Sequence, residues 1–418
     1  MAARGNGYDI ILQAFHWNLV KTGGEGTIDG SGRSWFHILR DMADSIAEAG
    51  FTVVYLPPLW RDDSFWEHNG RRGGGEGYFW HDFDLNSRYG TKYELKELVS
   101  LLHSKNIKVI ADLVTNHRDG NRMERDIWEY PGPCWANGGF DEGGSFMDGK
   151  FDLNLSNPVV HKRIRDAMDE LMDDYGIDGW RWDYVWGYEV HEVVGWIRGT
   201  DREEYISIGE YWQDSPYMTN DPMVSRYGAD ESARILGWAE ESGGCAFDII
   251  LKREIQTANP ARLRYGLNTG KSTVERSSVV TFVDNHDMGA SPFSTANGWG
   301  QQCWPCPPFY KSKAYAFIMT MPGTPCIYWP DFFDWGLGGE ISALAGIRKK
   351  CGINSSSGWI DLCDNYTGFA GIVLNDKKEE VLALSIGSSY NGPGAGWEKG
   401  YEKEGEYTVW IKPGFNNP

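Results

Sequence analysis

A parallel (β/α)8 barrel of the TIM type is the fold class predicted for this 418-residue α/β chain, with an excursion inserted after strand three and a small antiparallel β domain at the end. Three observations predict it. Short apolar runs alternate with amphipathic helical stretches, the pattern of a parallel sheet covered by helices. There are eight such runs, the number that closes a barrel; an open doubly wound sheet is the alternative. Beyond residue 351 an alternation of period two replaces the helical period.

The first strand is read at 9–17 (DIILQAFHW). A helix follows at 35–49, with Ile38, Leu39, Met42 and Ile46 on one stripe and Gly50 as its stop. Strand two, 51–58 (FTVVYLPP), is almost wholly apolar, as in a sheet buried on both faces. Thr91 and Glu94 form a capping box for a helix that turns Leu95, Leu98, Val99 and Leu102 inward. Strand three is 108–114 (KVIADLV). Asn157 and Pro158 are N-cap and first residue of a helix with Ile164, Met168, Leu171 and Met172 on its stripe and Gly176 at its end. Further strands are expected at 179–185, 205–211, 246–251, 279–283 and 323–329. The barrel is assigned to 1–117 and 156–350, the excursion to 118–155 and the β domain to 351–418, with strands in FAGIVLN, EVLALSIG and EYTVWIKPG. An excursion of that size is too long for an ordinary βα loop, which marks it as functional.

Composition narrows the partners. Forty basic against 59 acidic residues give a net charge of −19, without the clustered Lys and Arg that phosphates require. Nucleic acid and anionic membrane are therefore not expected, and no run approaches the ~20 apolar residues of a membrane span. Twenty Trp exceed the needs of a core, and flat apolar faces with one N–H suit sugar rings. Seven Cys cannot all pair, and Cys303-Trp-Pro-Cys306 has no second pair to complete a zinc site. The segment Gly266–Ser272 is one residue short of a phosphate-binding loop and reads as an ordinary loop. The N-terminus, Met-Ala-Ala-Arg-Gly-Asn, has no apolar core of a secretory leader, so the chain is either made without one or has had it removed.

Chemistry gathers where strands end. Strand three ends in Asp112-Leu-Val-Thr-Asn116-His117, strand four in Gly179-Trp-Arg181-Trp-Asp183, strand five in Gly209-Glu210-Tyr211-Trp212 and strand seven in Phe282-Val-Asp284-Asn-His286-Asp287. A barrel carries its catalytic groups at these ends. Buried carboxylates are costly unless paired, and crowding drives their pKa values apart. Acetal cleavage needs such a pair: an acid for the leaving oxygen and a carboxylate for the anomeric carbon. Arg181 and Asp183 share a strand face by period two, so Arg181 is expected to keep Asp183 ionised as a nucleophile. Apolar neighbours are expected to raise Glu210 as the acid/base, and Asp287 suits hydrogen bonding to the distorting sugar. The bland alternative is an ion-pair network that only braces the barrel.

These segments, DLVTNH, GWRWD, GEYW and FVDNHD, resemble the signature regions of the α-amylase family of glycoside hydrolases (family 13), and Phe151-Asp152-Leu-Asn154 resembles a fifth. The resemblance runs from ILQAFHW to GTPCIYW. It is strongest to plant-type α-amylases and bacterial maltotetraose-forming amylases, the latter especially through GGGEGYFWHDF at 73–83. It implies hydrolysis of α-1,4-glucosidic bonds in starch, glycogen and maltooligosaccharides, with retention, by a monomer that in exported relatives is extracellular. Residue by residue it implies Asp183 as nucleophile, Glu210 as acid/base and Asp287 as transition-state stabiliser. It implies substrate contacts from Arg181, His117, His286 and Tyr78, and stacking by Trp17 and Trp66; Trp212 is grouped with these contacts. It implies a structural calcium held by Asn116, Asp141, Asp152 and the Gly187 carbonyl. Trp186 departs from the pattern, standing where members often carry Lys or Arg. A 4-α-glucanotransferase or branching enzyme of the same family, and a catalytically inactive glucan-binding relative, are the alternatives.

Overall fold

The computed structural model describes residues 3–19, 33–64, 66–68, 71–118, 153–197, 205–212, 221–289, 291–292, 304–363 and 368–414, with backbone alone at 18, 66–68 and 71–73. In chain order the strands are β1 (Ile11–Gln13), β2 (Val53–Leu56), a β3–β4 hairpin (Trp66–His68, Arg71–Gly73), β5 (Lys108–Leu113), β6 (Gly179–Trp182), β7 (Ile206–Gly209), β8 (Cys245–Phe247), β9 (Val279–Phe282) and β10 (Thr324–Tyr328). All but the hairpin pair in parallel into a closed eight-stranded barrel, with β1 between β10 and β2. Every residue of β2, β6, β7, β9 and β10 is buried, as the near-continuous apolar runs require of strands covered on both sides.

The helices are α1 (Trp35–Asp41), α2 (Ala43–Glu48), α3 (Lys92–Ser104), α4 (Pro158–Asp173), α5 (Val190–Ile197), α6 (Pro222–Tyr227), α7 (Glu231–Ser242), α8 (Ile249–Gln256), α9 (Thr273–Ser277), α10 (Lys311–Thr320), α11 (Trp329–Phe333) and α12 (Gly338–Lys350). The capping signals hold: Thr91 and Glu94 close a reciprocal box at α3, and Asn157 caps α4 ahead of Pro158. Two expected elements differ. The helix at 35–49 breaks at Met42, whose N–H is shared between the Ile38 and Leu39 carbonyls, a tightened turn that splits α1 from α2. The expected strand at 246–251 is a strand only to Phe247. Asp248 then caps α8, its Oδ1 accepting from the Leu251 N–H at 2.9 Å. A short apolar run such as Ile249-Ile250-Leu251 does not distinguish buried strand from buried helix.

After the barrel, β11 (Gly358–Asp361), β12 (Phe369–Leu374), β13 (Glu380–Ile386), β14 (Glu398–Lys403) and β15 (Tyr407–Ile411) form an antiparallel sheet in the order β11-β12-β13-β15-β14. The two strands beyond the three expected are its edges. β14 (EKGYEK) carries charges instead of an apolar face, the usual protection of an exposed edge, and so lacks the alternation that reveals a strand. Glu340 of α12 ties this sheet to the barrel, accepting from Tyr407 Oη at 2.6 Å and Lys403 Nζ at 3.1 Å. Among the described cysteines Cys245, Cys306, Cys326, Cys351 and Cys363 are free thiols; Cys303 lies outside the described residues.

Candidate active site

Barrel register builds the site. β5 and β6 pair with Asp112 opposite Arg181, placing both in one layer near the strand ends. The ladder then continues one step into each following residue: the Asp183 N–H donates to the Leu113 carbonyl at 3.0 Å and the Glu210 N–H to the Trp182 carbonyl at 2.9 Å. Both carboxylates are therefore held by sheet backbone, not by free loop.

Arg181 is their common partner. Its Nη1 donates to Asp112 Oδ1 at 2.8 Å and Asp183 Oδ1 at 2.7 Å, and its Nη2 lies 2.6 Å from Glu210 Oε1. Asp183 and Glu210 therefore share one guanidinium. Tyr184, next to Asp183, adopts the left-handed conformation at φ 53, ψ 42. That costs a non-glycine residue ~1 kcal/mol or more, and it turns the Tyr184 N–H onto Glu210 Oε2 at 3.0 Å.

A second wall faces this cluster. Tyr78 Oη donates to Asp112 Oδ2 at 2.7 Å, and Tyr55 Oη reaches the same oxygen at 2.6 Å. The Gln13 amide nitrogen faces His286 Nδ1 at 2.8 Å, which leaves the ring proton on Nε2, 2.7 Å from Tyr78 Oη. Tyr78 and His286 stack at 5.4 Å, and Trp17 leans on Tyr78 at 5.0 Å. Trp17 Nε1 donates to Asp287 Oδ1 at 3.2 Å. His117 hydrogen-bonds the Tyr78 backbone and meets Tyr184 edge-on.

Burial dominates the ionisation of the cluster. Desolvation raises Glu210 well above the usual carboxylate range despite Arg181, with the Asp183 and Asp287 charges adding to it. Desolvation also raises Asp183, where Arg181 opposes it by charge and hydrogen bond, and raises Asp287, where Arg181 and the Trp17 N–H oppose it. Glu210 is thus the group best placed to hold a proton. Burial pushes His117 and His286 down to about 3, so both are neutral imidazoles at working pH.

The loop carrying Tyr78 has its own carboxyl groups. Asp62 accepts from the Gly77 and Phe79 N–H groups at 2.8 and 3.2 Å, and Glu76 accepts from Gly74 N–H. Gly77 needs its φ of +98, and a Cβ there would lie 2.5 Å from Pro58 Cβ. Burial lifts Glu76 from 4.5 to about 7. A folded-state value above the unfolded one means a stabilising contribution complete below the unfolded value and lost as pH rises through about 7. Wild type is therefore expected to lose roughly 3 kcal/mol relative to E76Q between pH 4 and pH 8. Urea unfolding of both at the two pH values measures it; a constant gap would refute the buried titration.

Of the sequence-predicted site residues, Asp183, Glu210, Asp287, Arg181, His286, Tyr78, Trp17 and His117 come together here. Trp212 follows Tyr211, half-buried against the core. Trp66 sits on the β3–β4 hairpin with its side chain outside the described residues, as are Asp141 and Asp152. Asn116 and Gly187 meet: a Cβ added to Gly187 would lie 2.4 Å from Asn116 Oδ1. Arg181 serves three carboxylates, whereas the sequence reading gave it Asp183 alone. Asp112 as a structural anchor, Tyr55 and Gln13 were missed. An Asp inside KVIADLV and a Gln inside ILQAF, polar residues in buried strands, were the available signals.

Residues 39–126 match the family model described as Alpha amylase, catalytic domain. Glucan 1,4-alpha-maltotetraohydrolase of Roseateles saccharophilus is 34% identical over 424 residues, spanning 97% of this chain and 73% of that protein. The protein of the same name from Stutzerimonas stutzeri is 35% identical over 404 residues, 93% of this chain and 70% of its own. A crystal structure of an Anoxybacillus α-amylase superposes with a TM-score of 0.69 at 18% identity, covering 97% of this chain and 98% of that one, a likeness of fold. Identity at the level of the two maltotetraohydrolases, sustained along nearly the whole chain, shows that this protein belongs to the α-amylase family of glycoside hydrolases.

Proposed function

We propose that this glycoside hydrolase cleaves α-1,4-glucosidic bonds of starch, glycogen and maltooligosaccharides with retention, using Asp183 as nucleophile and Glu210 as acid/base. The observation that carries the reading is that one guanidinium holds both carboxyl groups, Asp183 on Nη1 at 2.7 Å and Glu210 on Nη2 at 2.6 Å. Retaining pairs stand ~5–5.5 Å apart, while an inverting pair needs ~6.5–9.5 Å to admit a water between them.

The steps follow from the ionisation order. Glu210 gives its proton to the glycosidic oxygen as the bond to the anomeric carbon breaks. Asp183 closes on that carbon from the opposite face, forming a β-glycosyl ester, and the leaving chain departs as an alcohol. Glu210, now a carboxylate, takes a proton from water as that water attacks the same carbon; the ester breaks and Asp183 is freed. Two inversions give net retention. Asp287 and the neutral His117 and His286 bind hydroxyls of the sugar undergoing cleavage, and Tyr78 and Trp17 offer it aromatic faces. Trp66 and Trp212 are assigned to flanking sugars.

Calcium fits the residues present. Asn116 Oδ1 lies against Gly187, and the Leu153 N–H donates to the Asn116 carbonyl at 2.9 Å, bringing the end of the 118–155 excursion to the same point. Asn116, the Gly187 carbonyl, Asp141 and Asp152 would hold the ion, which ties loop to barrel through oxygen ligands. Soluble starch incubated with and without a chelator, with products sized over time, tests both parts. Reducing oligosaccharides should accumulate, and chelation should lower both rate and Tm. Longer or branched chains would instead indicate a transferase, and binding without new reducing ends an inactive relative.

A further inference from the structure

Behind the site lies a buried cluster that the reaction itself does not use. Lys252 on α8, Asp284 just after β9, Lys311 on α10 and Asp331 on α11 are 0, 1, 2 and 0% exposed. Lys252 Nζ donates to Asp284 Oδ1 and to the Val283 carbonyl, each at 2.7 Å. Lys311 Nζ bridges Asp284 Oδ2 and Asp331 Oδ1. Asp284 also accepts from the Cys306 N–H at 2.9 Å, and Asp331 accepts from Tyr315 Oη at 2.6 Å.

Two cations and two anions balance, and every Asp284 oxygen is satisfied. Desolvating four charges is a weak route to stability, because apolar side chains of equal volume serve as well. The geometry indicates another use. The clamped groups, the Val283 carbonyl and the Asp284 carboxylate, immediately precede the turn in which Asn285 Oδ1 accepts from the Asp287 and Met288 N–H groups at 3.1 and 3.0 Å. That turn has little other sheet backbone to hold it, since β9 ends at Phe282.

We propose that Lys252 and Lys311 are positioning residues for Asp287: through Asp284 they fasten the end of β9 to α8, α10 and α11, and so set where the 285–288 turn presents its carboxylate. This rests on the reading that Asp287 takes part in the reaction. Both lysines are buried, with their ammonium groups turned onto Asp284 and Asp331.

The decisive variant is K311M/D331N in the full chain. It removes one cation and one anion together, so no unbalanced charge is left buried, and Lys252 still neutralises Asp284. Misplacing a reacting group by an ångström costs up to ~10²-fold in rate. On a maltooligosaccharide at 25 °C, kcat should therefore fall ~10–100-fold with KM within about twofold, in a protein whose far-UV spectrum and cooperative melt are retained. If the double variant does not fold, K311Q/D331N, closer in shape, should show the same split. A bracing role alone would lower Tm and leave kcat at 25 °C within about twofold, which overturns the proposal. D287N separates the two readings. Normal kcat in the lysine variant beside an inactive D287N overturns the positioning role alone. An active D287N overturns it together with the role given to Asp287.

Discussion

D183N should lower kcat on maltooligosaccharides by at least ~10⁴-fold, the scale seen when a catalytic group is removed from an assembled site, while leaving glucan affinity within a few-fold. Asparagine is nearly isosteric and can still accept from Arg181, so the pocket should keep its shape. What it cannot do is carry the negative charge that closes on the anomeric carbon. The loss should thus appear in kcat, because the interaction removed is made only as the bond breaks. Reducing-end release and calorimetric binding of the same oligosaccharide measure the two quantities. Turnover near the wild-type rate would sink the nucleophile assignment, and lost binding would mean that Asp183 acts in holding the sugar.

The second large effect is expected at Arg181. Replacement by Lys keeps the charge but not the fork: one ammonium cannot reproduce Nη1 between Asp112 and Asp183 and Nη2 on Glu210. A fall of ~10²–10³-fold in kcat/KM follows if the two carboxyl groups lose their registration. The pH profile carries the sharper information. Arg181 lowers the pKa of Asp183, which must be ionised, and of Glu210, which must be protonated. Weakening that field raises both, so the acid limb and the alkaline limb of kcat/KM should both move to higher pH in R181K. A drop in rate with unmoved limbs would show that Arg181 acts through geometry alone. R181M is the harsher case: it leaves three carboxylates without the cation they share, and a loss of ~3–5 kcal/mol in stability is expected from such an uncompensated burial.

Much of this site could be read before any coordinates. Asp183, Glu210 and Asp287 stand at strand ends, where a barrel assembles its chemistry, and period two set Arg181 beside Asp183. What stayed hidden was how one group is shared. Nothing local to Arg181 says that Asp112, 69 positions earlier, takes half of its Nη1, or that Glu210 takes its Nη2. The link from Gln13 to His286 spans 273 positions, and the one from Lys311 to Asp331 joins two helices whose patterns give no hint of facing each other. The misread strand at 246–251 has a different cause: three consecutive apolar residues carry no period, so only the Asp248 cap decides between strand and helix.

By itself the sequence determined the class of fold, the order of the barrel strands, the starts of the three helices it assigned and the residue types gathered at the barrel mouth. These depend on short-range physics: hydrophobic period, capping hydrogen bonds and the cost of a bare carboxylate inside an apolar strand. Only the tertiary structure decided how Arg181 is shared among three carboxyl groups, which tautomer His286 adopts and what stands behind Asp287. Those are questions of desolvation and of distances of a few ångströms between distant parts of the chain, and they have no value until the barrel closes.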